Sequence, residues 1–341
     1  MIARRVLLLA LLLGAVCASA WGQLTISPTT LPNGFVGNPY PATRLIVGGT
    51  GIIPTWTVTV GTLPAGLGLD SSTGIISGTP TAVGSSTFTV TATVGTAPNV
   101  VTTLTQVFTV VINALTITGL PSVAPPGTQQ SATVSLIGGA NVDTFTGTLT
   151  LTFNPASGSA QNYDAKFASG APYTANFTIT PSAASASVPV MIGTVAGTIT
   201  ITTTSFVNSH GIALPVPAPV VITVSATPPV IKKVTIGTVT SSGFNISVTG
   251  FSSTRDMTNA AFTFVAPTNA TLTSSVITVP LTAAFTTWYG SATSTAFGGQ
   301  FTMTVQFTYT AAPGTTVPFT AVSVTMSNSK DTSNSFGPVN P

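Results

Sequence analysis

Apolar and hydroxyl-bearing residues alternate along most of this chain, and that pattern is the strongest constraint on its fold. In Leu149-Thr150-Leu151-Thr152-Phe153 every second residue is apolar and every intervening one is threonine. Trp56-Thr57-Val58-Thr59-Val60, Phe88-Thr89-Val90 and Phe301-Thr302-Met303-Thr304-Val305 repeat it. An extended strand sends successive side chains to opposite faces, so this spacing buries one face and wets the other. Gly, Pro and Asn clusters fall between the runs: Leu31-Pro32-Asn33-Gly34, Ser77-Gly78-Thr79-Pro80, Ala124-Pro125-Pro126-Gly127 and Ala312-Pro313-Gly314. They suit turns, and no stretch of helical periodicity stands out. Short strands with frequent turn signals predict an all-β chain of antiparallel sandwiches.

Composition supports that reading and removes several functions. Glu is absent, Thr (66) and Ser (33) dominate the polar residues, and only 4% of the 341 residues are charged. A hydrophobic share of 43% is ample for packed cores, so the low charge does not signal disorder. Lys232-Lys233 is the one cationic doublet after the N-terminus, and no basic stripe exists to neutralise several phosphates. Nucleic acid is excluded as a partner on that ground.

The N-terminus reads as a signal peptide over residues 1–20. Arg4 and Arg5 precede the apolar run Val6 to Val16, and Ala18-Ser19-Ala20 supplies small residues for cleavage after Ala20. The run is about half the ~20 residues a membrane-spanning helix needs, so no transmembrane helix is expected in the mature chain. Cys17 lacks the Leu three residues earlier that would mark a lipoprotein. Beyond Ala20 the chain carries no cysteine, six cations and five aspartates, so stability must come from burial and backbone pairing.

Proline clusters and strand blocks divide the rest into three expected domains. Residues 24–113 end on Val107 to Ile112, residues 114–226 close with Val220 to Val224, and Pro228-Pro229 opens residues 228–341. Each has the size of a single β-sandwich. The junctions carry no long apolar run, so the third domain is expected to fold alone.

The first domain carries a more specific pattern. Gly61-Thr62-Leu63-Pro64-Ala65-Gly66-Leu67-Gly68-Leu69-Asp70 is followed by Ser71 to Thr81, with Thr73-Gly74 and Ser77-Gly78-Thr79-Pro80, and then by Gly84 and Phe88 to Ala92. Gly37-Asn38-Pro39-Tyr40, Gly48-Gly49 and Pro54-Thr55-Trp56 lie upstream. Over about residues 32–112 the segment resembles the He-PIG immunoglobulin-like family of bacterial exported proteins, within the cadherin-like superfamily. The resemblance implies tandem Ig-like, cadherin-like sandwiches and a structural or adhesive role, not a reaction. The calcium binding of cadherin-type relatives is not expected here, because Asp70 is the first domain's only acid and Val94-Gly95-Thr96 has no Asp where relatives often do. Phe285 to Tyr289 with Phe297 to Phe301 is faintly similar to C-terminal domains of other bacterial exported proteins, which implies no function.

Groups able to do chemistry are scarce. His210 lies in the turn-like Asn208-Ser209-His210-Gly211, and no Gly-x-Ser-x-Gly elbow accompanies it. The five aspartates are scattered, Asp143 and Asp164 being 21 residues apart, which gives no paired-carboxylate signature. One His without Cys or Glu offers no metal constellation and no cofactor motif. No enzyme is expected. Trp288-Tyr289 is the candidate binding pair, able to stack on a sugar ring, against the simpler reading that Trp288 fills the third core beside Phe285.

The leading reading is a non-enzymatic secreted or cell-surface module protein, serving as stalk or adhesin. The alternatives are a carbohydrate-binding accessory protein using Trp288 and Tyr289, and an outer-membrane β-barrel, which the three Pro-bounded blocks disfavour.

Overall fold

The computed structural model describes residues 24–48, 53–95, 102–139, 143–156, 164–169, 171–181, 183–268, 270–310 and 319–341. The signal peptide and its cleavage site after Ala20 lie outside them. Contacts divide the chain into two compact units, one of residues 1–114 with 137–140 and one of 115–136 with 141–341. The division falls inside the strand Thr102–Thr118.

In the first unit Thr55–Val60 and Gly84–Val94 run antiparallel, and Gly84–Val94 pairs in turn with the strand beginning at Thr102. A smaller sheet joins Thr43–Arg44, Ile75–Gly78 and Leu67–Leu69. Trp56, Phe88, Phe108, Ile76 and Leu45 fill the core. The family-like motifs are mutually bonded turns: the Thr81 N–H donates to the Ala65 carbonyl (3.0 Å) and the Thr79 N–H to the Gly66 carbonyl (3.2 Å). Gly74 has φ +69°, and a Cβ there would sit 2.6 Å from the Trp56 indole nitrogen. Only glycine satisfies both demands, so one residue of the motif is set by backbone angle and by the core anchor together.

The second unit holds four layers of sheet. A five-stranded sheet orders Val123–Ala124, Val220–Val224, Gly197–Asn208, Phe145–Pro155 and Thr174–Ile179. Gln129–Ile137, Ser185–Met191 and Lys166–Phe167 pair antiparallel beside it. Alternation is literal in Thr174–Ile179, where Ala175, Phe177 and Ile179 are buried and Thr174, Asn176 and Thr178 exposed. The last two layers are Val230–Ile236 with Gly243–Phe251 and Gln300–Thr308, and Val276–Pro280 with Asn259–Val265, Ala321–Ser327 and Phe336–Val339. Between them Phe244 stacks on Phe307 (5.2 Å between centroids), with Phe262, Phe264 and Phe319 edge-on or tilted around the pair. The sheet orders are open, with edge strands, as in Ig-like sandwiches. No helix among the described residues is long and apolar enough to cross a membrane.

One expectation is corrected. The sequence showed no helical stretch, yet residues Thr282–Gly290 form a helix, α1, followed by the single turn α2 at Ala292–Thr295. Leu281, Phe285 and Tyr289 are buried at a spacing of four, but the period lasts only two turns. Local signals are missing as well: α1 has no side-chain N-cap and no acid in its first turn. Thr286 and Thr287 bond back to the Thr282 and Ala283 carbonyls (2.8 and 3.0 Å). Packing on the sheet, not propensity, makes this helix.

Candidate functional site

The aromatic pair singled out in the sequence lies on α1, and the helix separates its members. Tyr289 points inward, 8% exposed, and its hydroxyl donates to the Gly299 carbonyl at 2.6 Å. Burial pushes its phenol pKa well above the ordinary value, with the Arg255 cation opposing part of that shift. Trp288, one residue earlier, is half-buried and lies along an open cleft of about 580 Å³. Its indole N–H reaches the Gln300 carbonyl at 3.4 Å, and its ring stands 6.2 Å from that of Phe297, inclined by 36°. Phe285 and Phe301, packed edge to face at 5.1 Å, form the cleft floor. Ala284, Met303, Thr249, Thr302 and Gln300 complete its lining.

Arg255 holds this arrangement, and sequence reasoning passed it over. It has φ 56°, a left-handed conformation uncommon for a residue with a side chain. Its guanidinium donates to the carbonyls of Gly298 and Tyr289 (2.6 Å for the latter) and to the Ser294 hydroxyl (2.9 Å), and lies 4.9 Å from the Tyr289 ring centroid. It thereby satisfies a carbonyl at the C-terminal end of α1 and anchors the chain leading to Phe297.

The segment after Phe297 is fastened a second time, from the preceding sandwich. The Thr194 N–H and hydroxyl both donate to Asp164 (2.9 and 2.7 Å), and the Thr194 hydroxyl accepts from the Gly299 N–H (2.8 Å). The Gln300 amide lies 3.4 Å from the same carboxylate. Gly298, at φ +61°, has no room for a Cβ, which would collide with the Asp164 carboxylate. Nearby, the Ala196 N–H donates to the Ser253 carbonyl (2.8 Å), and the Asn328 amide bridges the Thr227 carbonyl and the Ser252 hydroxyl (both 3.0 Å). The Gly298-Gly299 pair was the available sequence signal; Asp164 and Thr194 carried none.

The aspartates serve as fasteners. Each of the five aspartates accepts a backbone N–H: Asp70 from Ser72 and Thr73, Asp143 from Thr144, Asp164 from Thr194, Asp256 from Ser329 and Asp331 from Thr332. His210 sits in the turn, its backbone N–H bonded to Asn208 (3.1 Å) and its ring 3.2 Å from the Ser209 hydroxyl. Among the described residues no three His, Cys, Asp or Glu side chains gather as metal ligands.

Paired open sheets around aromatic cores define a protein of tandem Ig-like sandwiches. Residues 23–113 match the family model described as "Putative Ig domain", which bears out the resemblance drawn from the Leu63 to Thr81 motifs. No curated protein matches the chain. Among solved structures it is similar to the protocadherin GammaB4 extracellular domain, at 14% identity over 92% of this chain and 48% of that one, with a TM-score of 0.26. It thus spans about half the length of that protein. Two others are the chicken CNTN1 FN1-FN3 domains (10% identity, 92% and 98% covered, TM-score 0.25) and the Yersinia pseudotuberculosis adhesin InvE (15%, 63% and 66%, TM-score 0.24).

Proposed function

We propose that this chain is an exported, non-enzymatic module protein whose Ig-like sandwiches act as a surface stalk or adhesive array. The observation that carries this reading is the fate of its carboxylates: each one is taken up in holding a turn or a loop to backbone N–H groups. Each aspartate thereby has a structural part in the fold, as a module protein built from sandwiches and turns requires. The family match of residues 23–113 and the Arg4 to Ala20 signal pattern supply the context of export. The domain limits proposed are those of the sequence: 24–113, 114–226 and 228–341.

Cell fractionation with N-terminal sequencing tests the reading. The expected product begins at Trp21 and is recovered from the cell surface or the medium. Recovery in the cytoplasm with Met1 retained would overturn it.

A further inference from the structure

We infer that the cleft beside Trp288 is a binding site for a neutral carbohydrate, with one sugar ring seated in the corner formed by Trp288 and Phe297. The inference rests on the adhesive-module reading and supplies its ligand class. The first argument is exposure. Phe297 leaves 50% of its surface open beside a half-buried Trp288, and large aromatics are normally committed to cores. The second is the polarity of the walls. None of the residues lining the cleft is charged, so an anionic or cationic ligand would surrender its hydration without a counter-charge.

A purely apolar ligand fits little better. Gln300, Thr249 and Thr302 line the same space, and covering such polar side chains with hydrocarbon would remove their access to water. The two threonine hydroxyls lie 3.2 Å apart, and each keeps bonding capacity beyond that contact, because a hydroxyl offers one donor and two acceptor sites. A pyranose meets both demands: its C–H face covers an aromatic ring while its equatorial hydroxyls reach a rim of amide and hydroxyl groups. The cleft volume of about 580 Å³ lies within the usual range for small-ligand sites.

The walls are also set before any ligand arrives. Arg255 holds the end of α1 and the Gly298 carbonyl, and Asp164 with Thr194 holds Gly299 and the Gln300 amide. Little ordering would therefore be needed on binding.

The test uses the purified full-length chain. Binding is measured by isothermal titration calorimetry against a panel of neutral oligosaccharides (gluco-, xylo-, manno-, galacto- and chito-oligomers), with an anionic uronate oligomer and an apolar leucine-rich peptide as competitors. The expected result is saturable binding of at least one neutral oligomer, weakened about tenfold or more in both Phe297→Ala and Trp288→Ala. Phe297→Ala, at an exposed position, is the informative variant if Trp288→Ala misfolds, and unchanged circular dichroism and melting certify either one. Three outcomes overturn the inference: no response to any neutral sugar, binding that survives both substitutions, or tighter binding of the uronate or the peptide at this cleft. A surface-located protein that ignores sugars sinks only the ligand assignment. A cytoplasmic protein that still binds them sinks the export reading and leaves the cleft.

Discussion

Arg255 donates to the backbone carbonyl of Tyr289 at 2.6 Å while its guanidinium lies 4.9 Å from the centroid of the same residue's ring. One side chain thus holds both the end of α1 and the face of its buried tyrosine. Because α1 lacks local start signals, it depends on such long-range contacts.

Arg255→Ala is expected to lower the unfolding free energy by about 1.5–3 kcal/mol, the range for hydrogen bonds made by a charged donor. Arg255→Lys should restore only part of this, since an ammonium cannot span the carbonyls of Gly298 and Tyr289 with the Ser294 hydroxyl as a planar fork does. Urea unfolding measures both. An alanine variant as stable as wild type would show that α1 needs no such anchor.

Gly298→Ala brings a methyl against the Asp164 carboxylate at a φ of +61°. A loss of about 1–3 kcal/mol is expected for the backbone conformation alone, with the collision in addition. In a double-mutant cycle Asp164→Ala should relieve the collision, so the two losses should not add. Strict additivity would separate the residues energetically.

Asp70 gives the first sandwich an acid-sensitive turn. Bonds from the Ser72 hydroxyl, then from the Thr73 and Ser72 N–H groups, hold its carboxyl pKa at about 2 against an ordinary 3.8. A lowered folded value means that the charged form stabilises: the contribution is present above 3.8 and is lost as pH falls through about 2. Asp70→Asn keeps an acceptor but not the charge. The difference in urea midpoint between wild type and variant should therefore be full near pH ~6 and vanish toward pH ~2.

Tyr289 predicts the alkaline limit. Its raised phenol pKa favours the neutral form in the folded state, so this contribution is complete below the ordinary value of 10.0 and declines as pH rises beyond it. Tyr289→Phe should cost about 1 kcal/mol at neutral pH through the lost bond to Gly299, and should flatten the decline above pH ~10. An unchanged alkaline profile in the variant would assign the decline to other groups, Tyr40 among them, whose phenol burial also raises.

Residues 228–341 alone should melt cooperatively, since their strands pair among themselves around their own aromatic core. The melting temperature should fall below that of 115–341, because Thr194, Ala196 and Asp164 no longer hold Gly299, Ser253 and Gln300. Calorimetry of the two fragments decides; equal melting temperatures would make the seam energetically idle.

What the sequence determined by itself was the strand structure and the first sandwich's turns. Alternation in segments such as Thr174–Ile179, and the turn residues of Leu63-Pro64-Ala65-Gly66 and Ser77-Gly78-Thr79-Pro80, are properties of near neighbours along the chain. Only the tertiary structure decided α1, the separation of Trp288 from Tyr289, and the part played by Arg255 and Asp164. Their reasons lie far away: Arg255 meets Tyr289 across 34 residues, and Thr194 meets Gly299 across 105. A two-turn helix without a side-chain N-cap has no local period strong enough to announce it, and its existence follows from the sheet and the guanidinium that hold it in place.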